Sequence, residues 1–552
     1  PATALASPGN IMWGFMRTLL RLEVVAYELM RRRRFPRTIA VVVAGMILAA
    51  CGGDDSSESD QTDVATTVSA PDATSSTAPS ATTNPPFPVE PIEWTECGSE
   101  EVPDIECAKF EVPFDYEDPN IGAFSLNLKK RPADKPDKSR GVLLVNRGGP
   151  GAESASMAPD AEFYFTQTLL DHFDIVAFDP RGVGATEPHV DCVDDYDPYF
   201  TSDATPDTPE ERQKLIDDAK AFNDACLDKS GAILPYISTR ASAMDMDSIR
   251  RALGEDKVSY FGFSYGSELG AMWTSLYPDT VRAAVFDGAS DPNASYLQAG
   301  LDQAAGFERQ LNSFFADCAK RTTCAIHNNG KPAAVFDELM RRLDRDPLFV
   351  SDNRTLVTQT VGYTAAVDAM YSDALWPTFA EAIQSATDPK TPDGTGLLAL
   401  FDDYYQRRPD GSYDNLLEAF TAISCLDDRG ETSPDAVDSH LDEFLQVAPR
   451  LGGFFASGYT CALWPVESLG REPLDDIGTG PIVVVGTTGD AATPLESSRK
   501  MAAALRDGRL IVVMQDQHTG YGTSDCVNTL VDAYLVDLKA PETETTCSAE
   551  AE

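Results

Sequence analysis

Six short, nearly continuous apolar runs, bounded by Gly, Pro or Asp, punctuate the chain at residues 141–145, 173–178, 258–262, 283–286, 481–485 and 510–514. Runs of this length read as strands buried on both faces. Most are separated by stretches with helical spacing of apolar side chains, at 244–253, 265–277, 496–505 and 528–538. Buried strands alternating with helices require a mainly parallel sheet covered on both faces. Two earlier segments, 109–115 and 124–130, alternate apolar and polar residues and predict an antiparallel entry hairpin.

The alternation stops between Asp291 and about Pro465, where helical patterning dominates, at 307–320, 333–343, 365–386 and 439–447. A helical insertion at the carboxyl side of a parallel sheet sits above the place where such sheets bind ligands. The expected organisation is a core in two pieces, 91–290 and 466–552, with a helical cap, 291–465, over a site.

Residues 1–50 read as a targeting segment rather than part of the fold. A basic stretch at 30–37 is followed by an apolar run at 39–50, too short to span a bilayer, which takes about 20 residues. Leu48-Ala49-Ala50-Cys51 has the layout of a bacterial lipobox, in which Cys51 is lipidated and becomes the new amino terminus. Residues 1–29 are expected to lie upstream of this signal, and the Arg pair before Phe35 also fits twin-arginine export. Residues 52–90 hold seven Ser, seven Thr and seven acidic residues, no Lys or Arg, and one aromatic, Phe87. Such a segment cannot bury enough apolar surface to offset its chain entropy, so 51–90 predicts a lipidated cysteine and a disordered tether. The expected location is the cell surface, with a lipid anchor in the membrane.

Of 552 residues, 44 are Lys or Arg and 88 Asp or Glu, a net charge of −44. Without residues 1–50 the balance is 37 basic against 86 acidic side chains, or −49. Nucleic acid is excluded as a partner, since a phosphate-binding surface needs a basic face. Eleven cysteines less the lipidated Cys51 leave ten, an even number in a chain addressed to an oxidising compartment. They fall as sequence neighbours, Cys97 with Cys107, Cys192 with Cys226, Cys318 with Cys324, Cys425 with Cys461 and Cys526 with Cys547, and predict five local disulfides. No C-x-x-C pair or His-rich partner accompanies them, so no metal site is expected, and nothing calls for a cofactor.

Gly262-Phe263-Ser264-Tyr265-Gly266 is a G-x-S-x-G motif between a predicted strand and a predicted helix. That context places Ser264 on a sharp turn with a helix N-terminus aimed at its oxygen. A serine hydroxyl needs a base, and the base needs an acid to fix its tautomer, in the chain order Ser, acid, His. Of the histidines after Ser264, His327 and His440 fall in the helical insertion, whereas His518 follows the last apolar run and is the expected base. Asp490, just beyond the run 481–485, is the expected acid; Asp516 and Asp525 lie too near His518 along one loop. Asn146-Arg147-Gly148-Gly149-Pro150-Gly151 directly follows the run 141–145 and fits an oxyanion loop. Its N–H donor falls to Gly149 or a neighbouring glycine, since Pro150 has none, and the second donor is the N–H of Tyr265.

This loop, the run from Phe173 through Asp179-Pro180-Arg181-Gly182-Val183-Gly184, the Ser264 turn, Asp490 with Thr493-Pro494, and the Cys526 to Cys547 ending together resemble the secreted actinobacterial tripeptidyl-aminopeptidase family. The resemblance covers nearly all of 91–547. It implies an α/β-hydrolase fold with a mainly parallel sheet and a large helical cap insertion. It further implies Ser264 as nucleophile, Asp490 as acid, His518 as base, and peptides with a free amino terminus as substrates. Arg147 departs from the proline usual in that family's loop. An ammonium-reading carboxylate is then required at a fixed distance from Ser264, and Asp427, in the cap, and Glu153, after the oxyanion loop, are the two candidates. An esterase or lipase using the same residues is the alternative activity, and a non-catalytic binding protein of the same fold is a third class, disfavoured because all three triad positions are filled. Oligomeric state is not legible from the sequence.

Overall fold

The computed structural model describes residues 87–100, 102–351 and 353–548. The signal at 1–50, Cys51 and most of the 51–90 tether lie outside them. Among the described residues, ten strands form one sheet: β1 Thr95–Glu96, β2 Glu106–Pro113, β3 Ala123–Arg131, β4 Val142–Asn146, β5 Asp174–Phe178, β6 Val258–Phe263, β7 Val281–Asp287, β8 Ile482–Thr487, β9 Gly508–Val513 and β10 Glu544–Cys547. Their spatial order is β1-β2-β3-β5-β4-β6-β7-β8-β9-β10. The first three pair antiparallel with one another and β3 pairs antiparallel with β5; all other pairings are parallel. The six apolar runs are β4 to β9, and the alternating pair is the β2–β3 hairpin.

The two faces of the sheet carry separate cores because side chains alternate along a strand. Leu144, Val176, Tyr260, Phe286, Val484 and Val512 pack on one face. Their strand neighbours, among them Val145, Ile175, Phe261, Val285, Val483 and Ile511, pack on the other. Each such side chain contributes roughly 1.5–3 kcal/mol by leaving water, so the strands that carry the site are fixed by their apolar neighbours.

Among the described residues, helices of ten residues or more are α1 Pro209–Ser230, α2 Thr239–Ala252, α3 Tyr265–Leu276, α4 Tyr296–Lys320, α5 Pro332–Arg345, α6 Gln359–Ala369, α7 Trp376–Ala386, α8 Thr395–Tyr404, α9 Leu416–Asp427, α10 Leu495–Ala504 and α11 Asp525–Asp537. Helices α4 to α9 all fall between β7 and β8 and build their own core around Phe307, Leu311, Phe314, Phe336, Phe379 and Phe401.

Some local readings change. The helical pattern at 365–386 is two helices, α6 and α7. Between them Tyr371 and Asp373 leave the helix to bond the β9 to α11 loop, where His518 N–H donates to the Tyr371 carbonyl (2.8 Å) and Asp373 N–H to that of Asp516 (3.1 Å). The pattern at 439–447 is helical only over Leu441–Val447, with His440 at its N-cap. Helix α1 and strand β10 were not anticipated. α1 opens with a capping box in which Thr208 and Glu211 each bond the other's backbone. β10 is a polar edge strand whose pairing is made by backbone, and Cys547 ties it back to Cys526 on α11.

All ten cysteines named above are paired as expected, Cys97–Cys107, Cys192–Cys226, Cys318–Cys324, Cys425–Cys461 and Cys526–Cys547. Among the described residues no helix is long and apolar enough to cross a membrane.

Candidate active site

Strand β6 ends at Phe263 and α3 begins at Tyr265, which leaves Ser264 alone on the turn with φ 54° and ψ −124°. That backbone costs on the order of 1–3 kcal/mol and persists only where the surroundings hold it. Ser264 N–H donates to the Asp287 carbonyl (2.8 Å), and the Ser267 N–H and hydroxyl both return to the Ser264 carbonyl (2.8 and 2.6 Å). The motif glycines are needed for close approach. A Cβ on Gly262 would fall 2.2 Å from the Gly266 carbonyl oxygen, and one on Gly266 would fall 2.9 Å from that of Asn146.

The glycine loop after β4 lies directly against this turn. A Cβ on Gly148, at φ 104°, would sit 2.5 Å from the Phe263 carbonyl oxygen and 3.2 Å from Tyr265 N. Gly148 N–H is already taken by the Asn146 side chain (3.0 Å) and Arg147 N–H by Ser154 Oγ (3.0 Å). Gly149 N–H has no acceptor among the described residues. Tyr265 N–H is the first of α3, where helical N–H groups have no partner within the helix. Both donors singled out in the sequence border the cavity that contains Ser264.

Asp490 lies beyond β8 and His518 beyond β9. His518 Nδ1 is 2.9 Å from each Asp490 carboxylate oxygen. Thr493 braces the pair, its N–H and hydroxyl donating to Asp490 (2.8 and 3.0 Å) and its oxygen lying 3.2 Å from His518 Nδ1. With Nδ1 committed, Nε2 is left free to accept a proton, as no partner for it occurs among the described residues. Burial disfavours the imidazolium, but the charge and hydrogen bond of Asp490, with the charge of Asp287, outweigh it and raise the His518 pKa. The Tyr371 ring stands edge-on to His518, with centroids 5.6 Å apart. Asp287 and Gly288 lie beside both residues: Asp287 holds Ser264 N–H, and a Cβ on Gly288 would fall 3.0 Å from His518 Cε1, while no hydrogen bond joins Ser264 to His518 among the described residues.

Ser264, Gly149 and Tyr265 open on a cavity of about 410 Å³. Asp427 is also on its wall, whereas Glu153 is not. Asp427 ends α9 and accepts the Thr239 N–H (3.0 Å) and hydroxyl (2.5 Å), and Thr239 in turn hydrogen-bonds the Tyr265 hydroxyl. Burial, offset by the Thr239 bonds, lifts its carboxyl to about 7. Glu268, one turn along α3 from Ser264, adds a second partly buried carboxyl, its pKa also raised by desolvation, paired with Arg471 at 2.8 Å. Glu153 is raised by burial and by the charge of Asp179, beside the glycine loop. Among the described residues no group of three or more His, Cys, Asp or Glu is arranged to hold a metal ion.

Ser264, Asp490 and His518 are expected from their places at strand ends, and the structure brings Asp490 and His518 into hydrogen-bond contact. Sequence reasoning missed Thr493 as a brace, Tyr371, Glu268 and Asp287. Asp287 carried the same signal as Asp490, a carboxylate at the carboxyl end of a strand.

A family model for the α/β-hydrolase fold matches residues 141–525. The chain belongs to the α/β-hydrolase family. Within this α/β-hydrolase family it is 34% identical over 486 residues to the serine protease Hip1 of Mycobacterium tuberculosis, an alignment covering 83% of this chain and 91% of that one. It is also 34% identical to carboxylesterase B of the same organism, covering 82% and 89%. It is 28% identical to a tripeptidyl aminopeptidase of Streptomyces lividans, covering 83% and 87%. The resemblance seen in the sequence therefore holds, and the chain is a serine hydrolase of this fold.

Proposed function

We propose that the protein is an exported serine exopeptidase that removes short amino-terminal fragments from peptides through an acyl-enzyme on Ser264. The observation that carries this reading is the Asp490–His518 pair, with Nε2 left free on the loop that packs beside the Ser264 turn. The similarity to a serine protease and a tripeptidyl aminopeptidase, over 83% of this chain in each case, supports a peptide bond as the target.

Ser264 Oγ attacks the scissile carbonyl carbon while its proton passes to His518 Nε2. Asp490 holds the ring tautomer and stabilises the imidazolium. Charge gathering on the carbonyl oxygen is met by the N–H groups of Tyr265 and Gly149, a contribution of roughly 3–4 kcal/mol per donor in such sites. Collapse expels the amine, which takes the proton from Nε2 and leaves the amino-terminal fragment esterified to Ser264. Water, deprotonated by His518, then attacks the ester, and Ser264 recovers its proton.

Asp427 is the carboxylate assigned to the substrate ammonium, because it lines the Ser264 cavity on the cap side and Glu153 does not. Residues 291–465 act as the cap over this site, between core pieces 91–290 and 466–552. Five disulfides suit an oxidising compartment. The 1–50 signal, lipidated Cys51 and 51–90 tether account for surface anchoring.

An esterase is the second reading, favoured by the carboxylesterase B relative. Hydrolysis of unblocked tripeptide amides, their Nα-acylated forms and short acyl esters separates the two. The exopeptidase reading predicts cleavage of the unblocked amides and little of the blocked ones. Turnover confined to esters, or unaffected by blocking, contradicts it.

A further inference from the structure

We propose that Asp287 is a positioning residue that locks the loop of the base to the turn of the nucleophile; the inference rests on the roles given above to Ser264 and His518. Asp287 closes β7 and is wholly buried. Its carbonyl accepts Ser264 N–H (2.8 Å). Its two carboxylate oxygens accept Gly520 N–H and Tyr521 N–H, each at 2.8 Å, directly after His518. The next residue, Gly288, donates its N–H to the Val485 carbonyl (3.0 Å) on β8, the strand that leads to Asp490. One dipeptide thus touches the three segments that carry nucleophile, acid and base.

Two features show that the loop needs holding. Thr519, between His518 and Gly520, has φ 68°, a conformation that is an outlier for a β-branched residue and persists only where neighbours over-determine it. No Lys or Arg pairs with Asp287 among the described residues, so its carboxylate is buried for the sake of the two N–H groups and of His518 itself. Two converging N–H donors require two acceptor oxygens. Asparagine offers one oxygen and turns an NH₂ toward the second donor. Asp287 also adds to the raising of the His518 pKa, alongside Asp490, while Thr493 and Tyr371, the other groups facing the ring, bring no charge at neutral pH.

The test uses a fluorophosphonate probe, which labels an activated serine, with peptide kinetics on the same samples. Labelling of the wild-type chain at Ser264, absent in S264A, checks the underlying reading alone; its failure overturns both. Given that labelling, D287N is expected to label about 10- to 100-fold more slowly and lose kcat by the same factor, with KM changed less than about threefold. The acid limb of its kcat profile moves to lower pH. In D287N, T519G relieves the backbone strain and is expected to restore part of kcat. Labelling and kcat within about twofold of wild type, or a loss confined to KM, overturns the proposal. If D287N does not fold, amide exchange on the wild-type chain decides: Gly520 and Tyr521 N–H are expected to be protected like the sheet, and exchange as fast as exposed loops contradicts the clamp.

Discussion

The proposed roles of Ser264 and His518 in chemistry and of Asp427 in recognition are separable by kinetics. S264A is expected to lose peptide hydrolysis by at least about 10³-fold in kcat, read with unblocked peptide amides; retained turnover contradicts the assignment. D427N is expected to raise KM for unblocked peptides about tenfold, the equivalent of ~1.4 kcal/mol, with kcat little changed. Because burial lifts Asp427 to about 7, the carboxylate that meets an ammonium is lost below that pH. Wild-type KM therefore rises as pH falls through about 7, and D427N shows no such dependence; a pH-independent wild-type KM contradicts the role. Ser264, Asp490 and His518 were legible as candidates because each follows a strand whose apolar run is local in sequence. Tyr371 reaches His518 through a contact between distant segments that no local pattern encodes, and Asp287, though it stands at a strand end like Asp490, makes its bonds to Gly520 and Tyr521 far along the chain. Glu153 was chosen for nearness along the chain to the glycine loop, and nearness in sequence does not put it on the cavity wall.

Strands β4 to β9 were legible because burial on both faces leaves a continuous apolar run. The polar edge strand β10 has no such run, and its place depends on β9 and the Cys526–Cys547 bond. The single helical pattern at 365–386 concealed a break whose cause, the bonds from Tyr371 and Asp373 to the His518 loop, lies far away in sequence. The break matters, since it brings Tyr371 to the ring of His518. Helix α9 positions Asp427 and is tied by Cys425–Cys461, across a separation of 36 residues, to the short helix Tyr459–Ala462. Replacing both cysteines by alanine is expected to cost roughly 3–4 kcal/mol through loop-closure entropy. Thermal unfolding checks the loss, and KM for unblocked peptides should rise more than kcat falls. Unchanged stability and KM contradict the view that this bridge fixes the recognition side of the cavity.

The whole molecule is strongly acidic, and several of its acids are buried without a full complement of cations. Burial raises Asp287 to about 6 and Asp368, Glu418 and Asp427 to about 7. In the folded chain these groups keep protons that the unfolded chain has released, so stability is greatest near their ordinary values and falls as pH rises through the folded ones. The raised His518 acts in the same direction, stabilising below the ordinary histidine value and losing that contribution as pH rises. Surface acids with lowered values, such as Asp171, Glu211 and Asp476, titrate below this window. The Tm is therefore expected to be about 5 °C or more higher near pH 5.5 than near pH 8, and a Tm that rises over that interval contradicts it. The helical insertion between β7 and β8 was visible in the sequence as an interruption of the strand rhythm, but which of its many acids faces the cavity depends on how α4 to α9 pack. The most direct measurement of the central claim is rapid-quench mass spectrometry of the enzyme turning over an unblocked peptide ester. A transient adduct on Ser264 is expected, its mass that of the substrate's amino-terminal fragment. Turnover with no adduct, an adduct on another residue, or one that forms equally well from the Nα-acylated substrate would contradict it.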